Sequence, residues 1–453
     1  MARRRLPDED AAVPEAKTVA GIVRGRWESD VAVFRGIPYA VPPLPFTVPQ
    51  PVAPWDGVRS AASFGPSTEA SDRGPDDECL TVNVWTPDPG PAAKLPVMVW
   101  IHGGGYEIGS SSRPEYDGGR LANDGEIVVV TLNYRLAAEG FGSAPANLGL
   151  LDQVAALEWV RDNVTAFGGD PGRVTIFGES AGGGCVAALL AMPRAAGLFH
   201  AAIAQSMPGT FFAPELAARI AADPADSSVD SPGPLRGGPA AYPTMRFAPV
   251  VDGDVLPCTP WQALAAGAAR DIPLIVGHTR DEHRLFTVIN GGHPGTDLDL
   301  LAPGGVERYR AAFPDATDAR LNELIHSDWL FRMPSVHLAD ARLAGGGRAF
   351  LYELTWSGLL GACHGLDVPL VFGTLTGNEP AQLLGDNPGA AAVSTQMRSA
   401  WTRFATTGDP GWPAYTPEEQ LTQIFDEPSV VAPYPEEASY GLWRDHVFAA
   451  LTT

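Results

Sequence analysis

The amino-acid sequence predicts an α/β protein in which helices cover both faces of a mostly parallel β-sheet. Short apolar runs recur along the 453 residues and alternate with helical patterns and glycine-rich turns. The runs are hydrophobic almost without interruption, which is typical of strands buried on both faces of a parallel sheet. Strand and helix patterns also follow one another along the chain, as they do in a doubly wound fold.

Five of the apolar runs are predicted to be strands, because each is too short for an ordinary helix. They are Val97–Ile101, Ile127–Leu132, Val174–Phe177, Leu274–Val276 and Ala349–Leu354. Residues 150–167 carry apolar side chains every three or four positions, and this spacing predicts a helix with one buried face. A second helical pattern covers residues 394–407 and stops at Gly408-Asp409-Pro410.

The sequence predicts one domain over residues 18–453, since it shows no internal repeat. Two stretches, near residues 213–245 and 287–330, contain segments that are rich in proline, glycine and aspartate. We predict that they are loop or cap excursions from this domain and not linkers between two. Residues 1–17 are charged and are predicted to be disordered. Nothing in the sequence indicates an oligomeric state.

Composition and charge argue against several classes of function. The chain is 45% hydrophobic and carries 31 basic and 53 acidic residues, a formal charge of −22. So acidic a surface repels phosphate backbones and anionic lipids, and we predict neither a nucleic-acid partner nor membrane association. No apolar run reaches the ~18 residues that span a bilayer, and the amino-terminal segment does not resemble a signal peptide. These features predict a cytoplasmic protein. The four cysteines form no C-x-x-C pair, so no metal site is predicted.

Ser180 is predicted to be a catalytic nucleophile. It lies in Gly178-Glu179-Ser180-Ala181-Gly182, a match to G-x-S-x-G, directly after a predicted strand and before a helical run over residues 185–192. The pattern alone is weak, but a sharp strand-to-helix turn needs small residues around a serine whose backbone is strained. The start of the helix also offers N–H groups and a positive dipole end to a developing negative charge.

A second glycine-rich turn is predicted to form an oxyanion hole. His102-Gly103-Gly104-Gly105-Tyr106 follows the strand that ends at Ile101. Consecutive glycines allow backbone N–H groups to approach a ligand oxygen closely, because no side chain stands in the way. Ester chemistry requires two or three such donors, and we predict that they belong to Gly104, Gly105 and Ala181.

Together with these turns, several further stretches resemble the type-B carboxylesterase and cholinesterase family, and in particular its bacterial para-nitrobenzyl-esterase-like branch. The stretches are GIPYA at 36–40, ECLTVNVWTP at 78–87, FGGDP at 167–171, VTIFGESAGG at 174–183 and ATTGDPGWPAY at 405–415. The resemblance implies an α/β-hydrolase fold. It also implies a serine carboxylesterase that cleaves small-molecule esters through an acyl-enzyme and needs no cofactor or metal.

The triad of this fold runs serine, acid, histidine along the chain. Spacing does not choose among the histidines that follow Ser180. These are His200, His278, His283, His293, His326, His337, His364 and His446. The resemblance implies His364 as the base, within the segment GACHGLDVPLVFG at 361–373. It implies Glu282 as the acid, with Asp281 as the competing residue. His283 departs from the family, which usually has glycine after the acid.

The resemblance extends to the surroundings of the triad. It implies that Ser206 supports the acid and that Glu179 lines the site. The chain is shorter than typical relatives over residues 212–247 and 286–329, which predicts a reduced rim and a wide pocket. The side chains predicted to line this pocket are Phe211, Phe212, Leu285 and Phe286. Residues 65–73 lack the tryptophan that holds quaternary ammonium groups in cholinesterases, so choline esters are not the predicted substrates.

Two other functions are compatible with the same sequence. An amide or carbamate hydrolase, or an acyltransferase, would use the same catalytic groups and differ only in pocket shape. A non-catalytic binding protein of this fold usually lacks the nucleophile, whereas this chain retains all three predicted triad residues. The carboxylesterase is therefore the favoured prediction.

Overall fold

An eleven-stranded β-sheet organises the part of the chain that the computed structural model describes, residues 13–41, 45–68, 78–222, 245–291, 298–377 and 379–452. Its strands are numbered here in chain order. They are β1 (Arg26–Glu28), β2 (Val31–Pro38), β3 (Thr81–Thr86), β4 (Leu95–Ile101), β5 (Val128–Leu132), β6 (Gly169–Glu179), β7 (Ala201–Gln205), β8 (Leu274–Thr279), β9 (Ala349–Leu354), β10 (Leu421–Phe425) and β11 (Val430–Pro433).

The strands lie in the spatial order β11-β10-β9-β8-β7-β6-β4-β5-β3-β2-β1. From β5 to β10 neighbouring strands are parallel, and the strands at both margins are antiparallel. All five predicted strands are present, and the predicted doubly wound architecture is confirmed. Two smaller sheets lie outside it. They pair Glu15–Lys17 with Ile22–Arg24 and Val58–Ser60, and Ala40–Val41 with Gln50–Pro51.

Strand β7 is a central strand that the sequence did not predict. Its residues, AAIAQ, are mostly alanine, which has a low preference for strands. Tertiary pairing decides the structure here, because Ile203 lies between Phe177 of β6 and Ile275 of β8. The strand matters for the site, since it leads directly to Ser206.

Alternate side chains of the central strands enter two separate cores on opposite faces of the sheet. In β4, Val97, Val99 and Ile101 belong to one core, and Met98 and Trp100 belong to the other. This is the two-residue period of a strand that is covered on both faces. Both cores exclude water from the strands almost completely.

Helices form the two covering layers. Within the described residues they are α1 (Gly119–Gly125), α2 (Ala137–Phe141), α3 (Leu148–Asn163), α4 (Ala181–Ala191), α5 (Pro214–Ala221), α6 (Pro260–Ala265), α7 (Arg284–Ile289), α8 (Leu298–Leu301), α9 (Val306–Ala312), α10 (Asp318–Ser327), α11 (Met333–Ala344), α12 (Asp367–Phe372), α13 (Glu379–Gln382), α14 (Ala390–Thr407) and α15 (Glu437–Trp443). Both predicted helices are present, as α3 with a following 3₁₀ turn and as α14. None of the described helices is long and apolar enough to cross a membrane.

The structure corrects the predicted segment boundaries at the amino terminus. Glu15–Lys17 forms a strand, so the disorder predicted for residues 1–17 does not hold there. The reason is that Ala16 is buried in a core cluster while the residues on either side face solvent. Residues 1–12 lie outside the described part of the chain.

The predicted excursions contain short helices where they are described. Helix α5 opens the first, most of which, residues 223–244, lies outside the described residues. Three helices, α8, α9 and α10, lie within the second. A five-residue π-helical turn, Asp328–Arg332, then leads into α11.

Candidate active site

Ser180 occupies a sharp turn between β6 and α4. Its backbone angles, φ 56° and ψ −126°, are strained for a residue with a side chain. A side chain at Gly182 would overlap the carbonyl oxygen of Ile101, so α4 packs closely on the end of β4 only because this residue is glycine. A side chain at Gly178 would likewise overlap Gly182 and Ile101. Close packing thus explains the glycines at the first and last positions of G-x-S-x-G. Ser180 itself is 7% exposed.

The glycine turn after β4 lies beside this elbow. A side chain at Gly103 would come within 3.1 Å of the Cβ atom of Ser180. Gly104 and Gly105 have φ values of 112° and 63°, a conformation that favours glycine. No acceptor among the described residues takes a hydrogen bond from the N–H of Gly104, Gly105 or Ala181. Three backbone donors are therefore available near Ser180, as an oxyanion hole requires.

His102 stabilises the same turn. It is fully buried, stacks on Tyr134 with ring centroids 4.5 Å apart, and contacts the carbonyl oxygen of Gly103 through Nδ1 at 2.8 Å. Burial lowers the pKa of His102 to about 4, so the imidazole is neutral near pH 7. The His102 ring therefore supports the turn by packing and adds no charge to it.

His364 and Glu282 form a buried pair. Nδ1 of His364 lies 2.5 Å from Oε2 of Glu282, and the other carboxylate oxygen accepts a hydrogen bond of 2.9 Å from the N–H of Thr279. Glu282 follows β8 and His364 follows the neighbouring strand β9, so parallel pairing brings their loops to one edge of the sheet. Burial alone would raise the pKa of Glu282, but His364 outweighs this effect and the pKa lies below its ordinary value.

Asp281, the competing acid, is engaged elsewhere. Its carboxylate forms ion pairs with Arg280, Arg284 and Arg320 at 2.9, 3.1 and 3.4 Å. Burial favours its protonated form, but these arginines together hold the pKa of Asp281 below its ordinary value. The same carboxylate accepts the N–H of Ala362, two residues before His364. Asp281 therefore joins the acid loop to the histidine loop.

Glu179 contacts the second nitrogen of the same imidazole. Its Oε1 lies 3.1 Å from Nε2 of His364, and the carboxylate is almost fully buried. Burial raises the pKa of Glu179 to about 8, and the positive charge of His364 opposes this rise. Burial in turn lowers the pKa of His364, but Glu179 and Glu282 outweigh it and raise that pKa to about 9. Glu179 and His364 therefore compete for one proton.

Behind this pair lies a buried polar network, of which only Ser206 was predicted from the sequence. Asp367 accepts hydrogen bonds from Gln205 at 2.8 Å and from Tyr352 at 3.1 Å. The carbonyl oxygen of Gln205 accepts the N–H of Ser180. The hydroxyl of Ser206 lies near enough to Glu282 to lower its pKa, although it does not reach good hydrogen-bond geometry. The signal available in the sequence was the place of Asp367, three residues after His364.

The predicted pocket residues occupy different environments. Phe286 is half-buried, with its ring centroid 5.2 Å from that of His364. Leu285 packs against the core on the opposite side. Phe211 and Phe212 are 0% and 2% exposed, and Phe211 packs edge to face on Trp261 at 5.4 Å. In the described residues, neither of these two rings pairs with His364.

Phe331 is the aromatic residue that contacts His364 most directly in this region, and the sequence analysis missed it. The two rings are stacked, with centroids 4.2 Å apart and an angle of 30° between their planes. No sequence signal identifies it, because a phenylalanine in a helical pattern is usually a core residue. Its position depends on the π-helical turn at 328–332.

The described residues contain no group of three or more His, Cys, Asp or Glu side chains arranged to hold a metal ion. A cavity of about 800 Å³ lies at the far end of α4, lined in part by Met192, Ala265, Ile272 and Gly345. Since α4 has 11 residues, this cavity is about 16 Å from the elbow and is not part of the same site.

A parallel sheet that ends in a strained serine elbow is the defining feature of the α/β-hydrolases, and this protein is a serine hydrolase of that class. The chain belongs to the carboxylesterase family, whose model matches residues 12–221 and 306–443. Glu282 lies between the two matched stretches, so its assignment depends on the contact with His364.

Individual relatives agree with this membership. The chain is 38% identical to the para-nitrobenzyl esterase of Bacillus subtilis (strain 168), over 92% of this chain and 96% of the relative. It is 33% identical to the phenmedipham hydrolase of Pseudarthrobacter oxydans, again over 92% and 96%. The crystal structure of a Geobacillus stearothermophilus carboxylesterase superposes with a TM-score of 0.84 at 35% identity, covering 95% of this chain and all of that chain.

The alignment with the Bacillus enzyme also bears on chain length. It extends over 475 positions, more than the 453 residues of this protein. The relative therefore carries insertions that this chain lacks, in agreement with the shortening predicted from the sequence.

Proposed function

We propose that this protein hydrolyses carboxylic esters with Ser180 as nucleophile, His364 as general base and Glu282 as the acid that orients it. The observation that carries the proposal is the 2.5 Å contact between Nδ1 of His364 and Glu282, on loops that follow neighbouring strands beside the Ser180 elbow. Such a pair fixes the tautomer of the imidazole and leaves Nε2 to accept a proton.

The reaction has two halves. Oγ of Ser180 attacks the ester carbonyl while its proton passes to Nε2 of His364, and the tetrahedral intermediate places its oxyanion on the N–H groups of Gly104, Gly105 and Ala181. When the carbonyl re-forms, the bond to the alcohol breaks and His364 returns the proton to that alcohol. Water then attacks the acyl-serine in the same way and releases the carboxylic acid.

Glu179 sets the protonation state in which the reaction starts. Nε2 of His364 accepts the serine proton only when the imidazole is neutral. The pKa of His364, about 9, lies above that of Glu179, about 8, so the shared proton favours the imidazole and the neutral base forms as the pH rises. Once His364 has taken a proton from Ser180, Glu282 stabilises the imidazolium.

Hydrolysis of p-nitrophenyl butanoate by the wild type and three variants tests the proposal. We expect Ser180→Ala to lower kcat by at least about 10⁴-fold, and His364→Ala to be similarly impaired. Glu282→Gln should lose about 10²- to 10⁴-fold, because the amide no longer stabilises the imidazolium. Ser399→Ala, an exposed serine on α14, is the matched control and should retain full activity.

The outcomes separate the competing functions. A wild type with no activity on esters but activity on an amide or carbamate would favour that alternative, and transfer to added alcohol would identify an acyltransferase. No activity on any of these substrates, with a folded protein, would favour a binding protein. Activity that survives in Ser180→Ala would exclude the proposed nucleophile.

A cytoplasmic location is part of the proposal. It is supported by Cys185, Cys258 and Cys363, which are thiols and not disulfides, as in a reducing compartment. Fractionation of the source cells would test it, and recovery of the protein outside the cytoplasm would contradict it.

A further inference from the structure

The π-helical turn Asp328–Arg332 places one aromatic ring on the face of the proposed catalytic base. The turn closes with a hydrogen bond from the N–H of Met333 to the carbonyl oxygen of Asp328. Turns of this kind are rare and occur frequently at functional sites. Here the extra residue in the turn directs the ring of Phe331 onto the ring of His364. The two ring centroids are 4.2 Å apart, and the angle between the ring planes is 30°.

A buried ion cluster fixes the position of this turn. Arg332 is completely buried and pairs with Asp328 at 3.1 Å and with Glu436 at 2.7 Å. Asp328 also accepts a hydrogen bond of 2.8 Å from the hydroxyl of Tyr309. Removing one partner of such a cluster leaves an uncompensated buried charge, so the arrangement is held firmly. On the other side of the turn, the N–H of Gly209 donates to the carbonyl oxygen of Leu330 at 2.8 Å.

The remaining surroundings of His364 are charged or aromatic. Three carboxylates face it, Glu179 from the elbow, Glu282 from the acid loop and Asp367 from α12. Phe286 approaches at 5.2 Å and stacks in turn on Phe331 at 5.9 Å. The carboxylates act on the two nitrogens and on the charge of the imidazole. The plane of the ring is constrained by the aromatic contacts.

We propose that Phe331 is a positioning residue for His364: its ring holds the imidazole in the plane that keeps Nδ1 on Glu282 and stabilises the imidazolium formed during each turnover. The inference rests on the proposed role of His364 as base. An aromatic face attracts a cation placed over it, and this attraction is absent when the imidazole is neutral. Phe331 therefore favours the state that His364 reaches in the transition state, which is the kind of contact that raises kcat.

The test replaces the ring with an apolar side chain that retains much of its volume. Phe331→Leu should lower kcat on p-nitrophenyl butanoate by about tenfold, within the range of about 2- to 30-fold that a cation–π contact supports, and leave KM within about twofold. The acidic limb of kcat/KM should move to lower pH, because the protonated imidazole loses a stabilising contact. Phe331→Tyr keeps the aromatic face and should restore kcat to within about threefold of the wild type.

A control variant distinguishes positioning from general stability. Phe167 is equally buried, packs on Phe34 and Trp159, and lies at the opposite end of β6 from Ser180. Phe167→Leu should lower the thermal midpoint by an amount similar to Phe331→Leu while kcat and the pH profile stay unchanged. If Phe331→Leu does not fold, Phe331→Met carries the same expectation, since methionine fills a similar volume without an aromatic face.

Two results would overturn the inference. One is a kcat and a pH profile of Phe331→Leu that match those of the wild type. The other is a change in Phe331→Leu that Phe167→Leu reproduces, because the ring would then serve packing alone. His364→Ala, measured in parallel, separates this failure from a failure of the proposed function: activity that persists in His364→Ala would remove His364 as the base.

Discussion

At the scale of single residues, the site depends on three carboxylates with different environments. Asp281 is held ionised by arginines, Glu282 is held ionised by His364, and Glu179 is buried with a raised pKa. Carboxylates of one site thus differ in pKa, because burial raises the pKa of a carboxyl group and neighbouring positive charge lowers it. Of the three, Glu179 is the carboxylate whose replacement tests the protonation of His364 most directly.

Replacement of Glu179 by glutamine should extend activity to lower pH. Glu179 exerts the largest effect of the three carboxylate charges that raise the pKa of His364 to about 9. Without it the imidazole loses its proton more readily, so the acidic limb of kcat/KM should move down by about one pH unit. The plateau kcat should fall by about tenfold, because the imidazolium of the transition state is also less stabilised.

A pH profile of kcat/KM between pH 5 and 10 measures this change. Glu158→Gln, on the exposed face of α3, is the matched control and should leave the profile unchanged. An acidic limb of Glu179→Gln that stays in place, or moves to higher pH, would contradict the assigned influence of Glu179 on His364.

At the scale of elements, the proposed catalytic groups lie at ends of strands and starts of helices. The elbow joins β6 to α4, the glycine turn follows β4, and the acid and base follow β8 and β9. Parallel strands carry all their carboxyl ends at one edge, so four loops that are distant in sequence converge there. The glycine turn after β4 tolerates little change at Gly104.

Gly104→Ala should lower kcat by about 10²- to 10³-fold with little effect on KM. A side chain at residue 104 would overlap the carbonyl oxygen of Ile108, and φ is 112°. The turn would therefore shift and withdraw a backbone donor from the oxyanion. Gly253→Ala is the control, because φ there is also positive, at 81°, but the added methyl group meets nothing within 4 Å.

Steady-state kinetics on p-nitrophenyl butanoate and circular dichroism would check both variants. Gly253→Ala should lose at most about 1 kcal/mol of stability and no activity. A Gly104→Ala enzyme that keeps its kcat would show that the glycine turn does not supply the oxyanion donors.

At the scale of the whole molecule, distant segments contribute to the proposed substrate pocket. Residues near 211, 286 and 331 come from three different connections around the sheet, and only the last two place rings beside His364. The shorter chain, relative to the enzymes with which it aligns, predicts a rim that leaves room for large acyl groups. The width of the pocket therefore depends on several distant segments of the chain and not on one motif.

A series of p-nitrophenyl esters from acetate to decanoate tests this breadth. We expect kcat/KM to fall by less than about tenfold from butanoate to decanoate, since each added CH₂ that finds an apolar wall gains up to about 0.8 kcal/mol. Phe286→Leu should shift the preferred chain length, whereas Phe211→Leu should lower the thermal midpoint without shifting it, because Phe211 packs in the core against Trp261. A loss above 100-fold beyond butanoate would indicate a closed pocket.

The sequence alone determined five strands of the sheet, the elbow and the glycine turn, because each is a local pattern: apolar runs for buried strands, and small residues where backbones approach closely. It also located His364 and Glu282 by their resemblance to a family. Strand β7 could not be predicted, since its alanines adopt a strand only through pairing with β6 and β8. The ion pairs of Asp281 and the stacking of Phe331 were equally hidden. The pair of Asp281 with Arg320 and the stacking of Phe331 on His364 join side chains that are far apart in sequence and meet only in the folded chain, so tertiary structure alone decided them.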